Sequence, residues 1–165
     1  MDLKRIARHL FALPGALDRA LPKSAMAAIE QAIARGETGH TGEIRLAVEA
    51  ALDGAALFAG QSARSRAIDV FSELRVWDTE QNNGVLIYLL LADHDMEIVA
   101  DRGINAKVPP QEWEAICRAM EAALARADFA RGIVTGIEEV SRLLALHFPA
   151  RAGDANELPD KPVVL

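Results

Sequence analysis

The side chains best suited to chemistry gather in two stretches. The first reads Asp78-Thr79-Glu80-Gln81-Asn82-Asn83, with Asp101-Arg102 further on. Carboxylate and amide oxygens of this kind are hard donors, the sort that calcium or magnesium takes. Asp78, Asn83 and Asp101 are the candidate metal ligands, and Thr79, Glu80, Asn82 and Arg102 are further polar members of the same site. The spacing is not that of an EF-hand, and the four histidines (9, 40, 94 and 147) show no zinc pattern. Asp and Asn residues in loops also bond their own backbone, which is the competing reading.

The second stretch is Arg64-Ser65-Arg66, just after Ser62, a residue suited to cap a helix. Cations oppose the positive end of a helix dipole. Something anionic must compensate. A bound phosphate is one solution; ion pairs with Glu49, Asp53 or Asp93 are the commoner one. No P-loop, dinucleotide fingerprint or Gly-x-Ser-x-Gly occurs. Cys117 shares the apolar side of a helix with Trp113 and Met120, so it reads as inert packing.

These residues need a frame, and residues 84–104 supply its centre. Val85 to Leu91 is an unbroken apolar run rich in β-formers, which predicts a strand buried on both faces. Asp93-His94 makes a turn, and Met96, Ile98 and Ala100 alternate in a returning strand with one wetter face. Upstream, Ile44, Leu46 and Val48 alternate with mostly charged residues, which predicts a strand near a sheet edge or with one polar face. A helix over 63–74, with Ala67, Ile68, Phe71 and Leu74 inward, joins the two strands as a right-handed β-α-β unit with parallel strands. His40, Asp78–Asn83, Asp101 and Arg102 then fall at one end of the sheet. Glu49, Asp53, Arg64, Arg66, Asp93 and His94 fall at the other, where open α/β sheets bind ligands.

Further helices are expected over 22–35, stopped by Gly36, over 110–126, and over 129–147 with Asp128 as cap. Gly132 and Gly136, one turn apart, predict close helix packing. Residues 2–13 form a basic amphipathic helix with Leu3, Ile6, Ala7 and Leu10 in one stripe. The ordinary expectation is that this stripe docks on the domain and leaves Lys4, Arg5, Arg8 and His9 solvated. Contact with an anionic membrane is the alternative. Pro14-Gly15 ends the segment, and residues 150–165 lack helical periodicity but end in the apolar Pro162-Val163-Val164-Leu165. That tip should lie against the chain's own domain, or a neighbouring copy.

The chain has 165 residues, enough for one domain with a core that needs no staple. The segments divide as an N-terminal helix and linker (1–21), an α/β domain (22–149) and an extended tail (150–165). A net charge of −6 excludes a general nucleic-acid surface, and a single cysteine excludes an internal disulfide. No signal peptide and no apolar run of spanning length are present. The expected location is the cytoplasm, and the expected state is a monomer or a weak homodimer with an unidentified protein partner.

Several phrases belong together: Gly42-Glu43-Ile44 with Ala47-Val48-Glu49, Arg66-Ala67 with Val70-Phe71, and Trp77-Asp78-Thr79 with Asn83-Gly84-Val85-Leu86-Ile87-Tyr88. Val99-Ala100-Asp101-Arg102-Gly103-Ile104, Trp113, His147-Phe148-Pro149 and Asn156-Glu157-Leu158-Pro159-Asp160 complete the set. Over residues 22–162 the chain resembles the short bacterial members of the TPM-domain family. The resemblance implies a three-layer α/β/α sandwich around a mixed sheet. It also implies calcium binding and acid phosphatase activity, both proposed for relatives, some of which serve photosystem II repair. Many bacterial relatives carry a signal peptide and a transmembrane helix, and that context does not transfer. The expected function is a binding or accessory module with a divalent-cation site for calcium or magnesium. The alternatives are a weak metal-dependent phosphatase, with Asp78 and Asp101 as its metal pair, and a membrane-surface adaptor working through residues 2–13.

Overall fold

The run Val85–Leu90 forms a strand in which every residue is buried. Its unbroken apolar character has this cause: both faces of the sheet are covered. The computed structural model describes residues 3–11, 15–153 and 155–165. In chain order these form α1 (Leu3–Leu10), α2 (Ala16–Ala20), α3 (Lys23–Glu37), β1 (Ile44–Glu49), α4 (Gly54–Phe58), α5 (Ala63–Glu73) and β2 (Val85–Leu90). A 3-10 turn at Leu91–Asp93 leads into β3 (Asp95–Ala100), then α6 (Arg102–Asn105), α7 (Pro110–Leu124), α8 (Phe129–His147) and β4 (Val163–Val164).

The sheet order is β3-β2-β1-β4. β1 and β2 run parallel, with Ile44 opposite Val85 and Glu49 opposite Leu90. β3 returns antiparallel to β2, and β4 lies parallel to β1. Two cores result. On one face, Ile44, Leu46, Val48, Val85, Ile87, Leu89, Met96 and Ile98 pack against α3, α7 and α8. On the other, Ala47, Leu86, Tyr88, Leu90 and Val99 pack against Ala63, Ala67 and Val70 of α5. The fold is a three-layer α/β/α sandwich around a mixed sheet.

Close helix packing explains two glycines. A Cβ at Gly132 would stand 2.6 Å from the Ala123 Cβ, and one at Gly136 would stand 2.3 Å from the Met120 sulfur. These positions let α8 approach α7. Gly36 does not stop its helix, which continues to Glu37; a Cβ there would meet the Ser141 hydroxyl at 2.2 Å. Ser62 caps α5 by accepting from the Ser65 N–H, whereas the Asp128 side chain makes no cap bond.

Three further expectations are corrected. β1 does lie next to a sheet edge, between β2 and the short edge strand β4, but its charged face is not solvated, since all six residues are buried. Arg45 donates to the Lys161 carbonyl, and Glu49 accepts from Tyr88 and Arg66, so the charges are paired internally. In α5, Ala67 lies inward with Ala63 and Val70, and Phe71 and Leu74 pack partly buried against the same core, while Ile68 is exposed. The third correction concerns α1. Of the helix expected over 2–13, Asp2, Ala12 and Leu13 lie outside the described residues, as does Pro14. Of the apolar stripe only Ile6 packs against the core; Arg5 and His9 turn inward beside it, and Leu3 and Leu10 stand 72% and 57% exposed. The reason is Asp93, which receives Arg5 at 2.8 Å, His9 at 3.1 Å and Arg8 at 3.3 Å.

Candidate functional site

The start of β2 and the finish of β3 place the first candidate set. Asn83 immediately precedes Gly84, whose carbonyl accepts from the Asp101 N–H at 2.9 Å. Asn83 is fully buried; its amide group donates to the Thr41 carbonyl at 3.0 Å, and its own N–H donates to the Thr79 hydroxyl at 3.1 Å. Gln81 donates to the Thr41 hydroxyl at 2.9 Å. Asp101 caps α6, its Oδ1 accepting from the Arg102 N–H at 2.7 Å. Asn82 takes a left-handed backbone, φ 53°, and its Oδ1 accepts from Arg102 Nε at 3.0 Å. His40 is buried, with Nδ1 at 2.9 Å from the Gly42 carbonyl oxygen.

Two acceptor atoms at this end stand out. Asn83 Oδ1 and Asp101 Oδ2 are both buried, and neither has a hydrogen-bond partner. A buried acceptor without a donor costs free energy, on the order of 1–3 kcal/mol. Asp78 differs: its side chain is 52% exposed and its carboxylate pairs with Arg75 at 2.9 Å. Glu80 contributes its backbone N–H, which donates to the Glu157 carboxylate at 3.0 Å. Among the described residues, no three His, Cys, Asp or Glu side chains are grouped to hold a metal.

The tail completes this end of the sheet. Glu43 is buried, and its carboxylate accepts from the N–H groups of Glu157 and Leu158 at 3.0 and 3.2 Å. Glu37 accepts from the Ile44 N–H at 3.0 Å. Burial raises its carboxyl to about 8, and the nearby charges of Glu43 and Asp160 add to the shift, against the Ile44 bond. Glu37 was invisible as a special residue in the sequence, because its burial cannot be read locally and one of its two acidic neighbours, Asp160, lies more than a hundred positions away.

At the opposite end, Arg64 and Arg66 do not converge. Residues two apart on a helix face different ways. Arg66 pairs with Glu49 at 3.0 Å and Glu73 at 3.0 Å, and Glu49 also accepts from the Tyr88 hydroxyl at 2.6 Å. Arg64 donates to the Ile98 carbonyl and pairs with Glu97 at 3.2 Å. Asp53 caps α4, and His94 stands at the turn with φ 53°, its ring edge-on to Phe129.

A groove of about 580 Å³ runs beside the outer edge of β3, between Arg64 of α5 and Trp113, Cys117 and Glu121 of α7. Burial, with the charges of Glu97, Glu121 and Asp93, raises Asp95 to about 6. Burial pushes the Cys117 thiol up to about 12, so it stays protonated at neutral pH and is a poor nucleophile. The long bond from the Met96 N–H to Glu121, 3.5 Å, and the Arg64 bond to Ile98 cover groups of an edge strand that would otherwise invite pairing.

A sandwich with this mixed sheet, closed at one end by its own tail, is the class that the geometry defines. The model of the TPM domain matches residues 17–143. The chain belongs to the TPM-domain family. It is similar to the BA42 protein of the psychrophilic bacterium Bizionia argentinensis, whose NMR structure is 32% identical, with a TM-score of 0.78 over 88% of this chain and 95% of that one. Comparison with curated proteins gives no match. No helix among the described residues is long and apolar enough to cross a membrane.

Proposed function

We propose that this chain is a binding module whose low-affinity divalent-cation site lies where β2 begins and β3 ends, with Asn83 Oδ1 and Asp101 Oδ2 as protein ligands. The observation that supports it is the pair of buried acceptor oxygens without donors. Calcium or magnesium, retaining several waters, would satisfy both. Asp78, half-exposed and paired with Arg75, is not one of these two buried oxygens. With no nucleophile–base pair in the arrangement, binding rather than turnover is its function, and a metal-dependent phosphatase is the rival that the test must exclude.

The test is a titration of the protein with calcium or magnesium chloride, followed through backbone amide shifts. Saturation is expected in the range of about 10⁻⁴–10⁻³ M, with the largest shifts at residues 82–84 and 101–103. Asp101→Asn keeps the helix cap, since Asn caps as well as Asp, and removes the charge. It should weaken binding by about tenfold or more, consistent with affinity following ligand charge. An unperturbed spectrum at about 10 mM cation, well above that range, would refute the site. Hydrolysis of an aryl phosphate by the wild type, lost in Asp101→Asn with the fold intact, would refute the module reading in favour of a phosphatase.

A further inference from the structure

The inverted docking of α1 leaves an apolar helix face turned outward. At about 3.6 residues per turn, Leu3, Ala7, Leu10 and Phe11 fall on one arc and Arg5 and His9 on the opposite one. The inward arc is fixed by more than Asp93. Arg5 also donates to the Gln61 carbonyl at 2.9 Å, and His9 Nδ1 accepts from the Leu52 N–H at 3.0 Å. These polar bonds orient the helix, so the outward apolar arc is a fixed feature of the surface. Phe11 stands 79% exposed beside Leu3 and Leu10. Lys4 and Arg8, both exposed, border the arc.

The arc continues into an open hollow of about 580 Å³. Phe11, Leu91 and Phe129 contribute apolar surface, and Arg8, Arg19 and His94 contribute the polar groups. Large exposed apolar side chains bordered by cations, on a chain whose net charge is −6, form a local surface of opposite character to the rest. A basic border with an apolar centre is the pattern of helices that lie in an anionic lipid interface. A second copy of the chain fits less well, since it would bring the same cations face to face.

We propose that α1 and the hollow beside it form a docking face for an anionic lipid surface. Leu3, Leu10 and Phe11 enter the acyl boundary, and Lys4, Arg8 and Arg19 lie at headgroup level. The polar clamp on Asp93 holds the helix in place, so docking requires no refolding of the domain.

The experiment is co-sedimentation of the full chain with two vesicle preparations, phosphatidylcholine alone and phosphatidylcholine mixed with phosphatidylglycerol. The anionic vesicles should bind about tenfold or more tightly than the neutral ones, and added salt should weaken the binding. Leu3→Ser, Leu10→Ser and Phe11→Ser combined should abolish it. Circular dichroism should show the fold unchanged, because these side chains have little burial to lose. Phe11→Ser alone, a milder change, should weaken binding measurably. Failure to pellet with anionic vesicles, equal binding to both preparations, or unaltered binding by a folded triple variant would each overturn the proposal. So would a dimer in light scattering that the triple variant reduces to monomer, which would mean that a second copy covers the face.

Discussion

The two ends of the sheet are closed by opposite means. At the end where β1 and β2 begin, the tail returns and is held by carboxylates: Glu43 takes the N–H groups of Glu157 and Leu158, and Glu157 takes that of Glu80. Negative oxygens dominate, and two acceptors lack donors. At the other end α1 is held chiefly on the carboxylate of Asp93, which gathers three cationic or basic side chains. The first end is short of positive charge, and the second carries it to the surface. The cation site proposed at one pole and the lipid-facing surface proposed at the other both rest on this difference in charge between the two closing segments.

Removing Asp93 should have the largest effect. Burial alone would raise its pKa, but the bonds from Arg5 and His9 outweigh that and hold it below the ordinary range. A carboxylate with a depressed folded pKa stabilises the fold above its unfolded pKa of about 4, and that stability is lost as pH falls through the folded value. Asp93→Ala leaves the buried His9 and half-buried Arg5 without their acceptor. The expected loss is about 2–4 kcal/mol in urea unfolding at neutral pH, below the full value for a buried pair because Arg8 is solvated. The loss should shrink at low pH. An equal loss at pH 3 and pH 7 would show that charge does not hold α1.

Breaking the opposite closure should cost somewhat less. Deleting residues 158–165 removes β4, the Leu158 bond to Glu43 and the Lys161 carbonyl that Arg45 meets. We expect a loss of about 2 kcal/mol, the scale of a few hydrogen bonds and one aliphatic burial. The mass in solution should stay unchanged, since β4 pairs within the chain. The deletion also exposes the edge of β1, so the variant should aggregate on heating. A dimer of the full chain that became monomeric on deletion would instead make the tail an assembly element.

The contrast between the ends was only partly legible in the sequence. β2 declares itself, because an apolar run needs no partner information to be read as buried. The hairpin and the β-α-β unit follow from it. β1 misleads, because Arg45 and Glu49 look solvent-facing until Lys161 and Tyr88 arrive from distant positions. α1 misleads for the same reason: the apolar stripe belongs inward unless a carboxylate 88 residues away claims the polar side. Of the candidate site, the places of Asn83 and Asp101 at strand ends were legible. The ion pair of Asp78 was legible too, since Arg75 stands three residues earlier and i,i+3 pairs of opposite charge meet readily.

The smallest predicted effect sharpens the acid end. Glu37 is raised from an ordinary 4.5 to about 8 by burial, with Glu43 and Asp160 adding to it and the Ile44 bond opposing. Arg45 is close enough to moderate the cluster, though burial lowers its own pKa. A carboxyl whose folded pKa lies above its unfolded one binds its proton more tightly in the fold. Its contribution is therefore intact below about 4.5 and lost progressively as pH rises towards 8. Glu37→Gln keeps an oxygen for the Ile44 N–H and never ionises. The variant should match the wild type at pH 4.5 and exceed it at pH 8.5. The margin is about 1 kcal/mol, since a partly solvated group realises only part of the linkage. Parallel thermal melts at the two pH values decide it. If the wild type and Glu37→Gln lose stability equally between pH 4.5 and 8.5, the proton at Glu37 is not what the crowded carboxylates require. The tail is then held by the neutral hydrogen bonds alone.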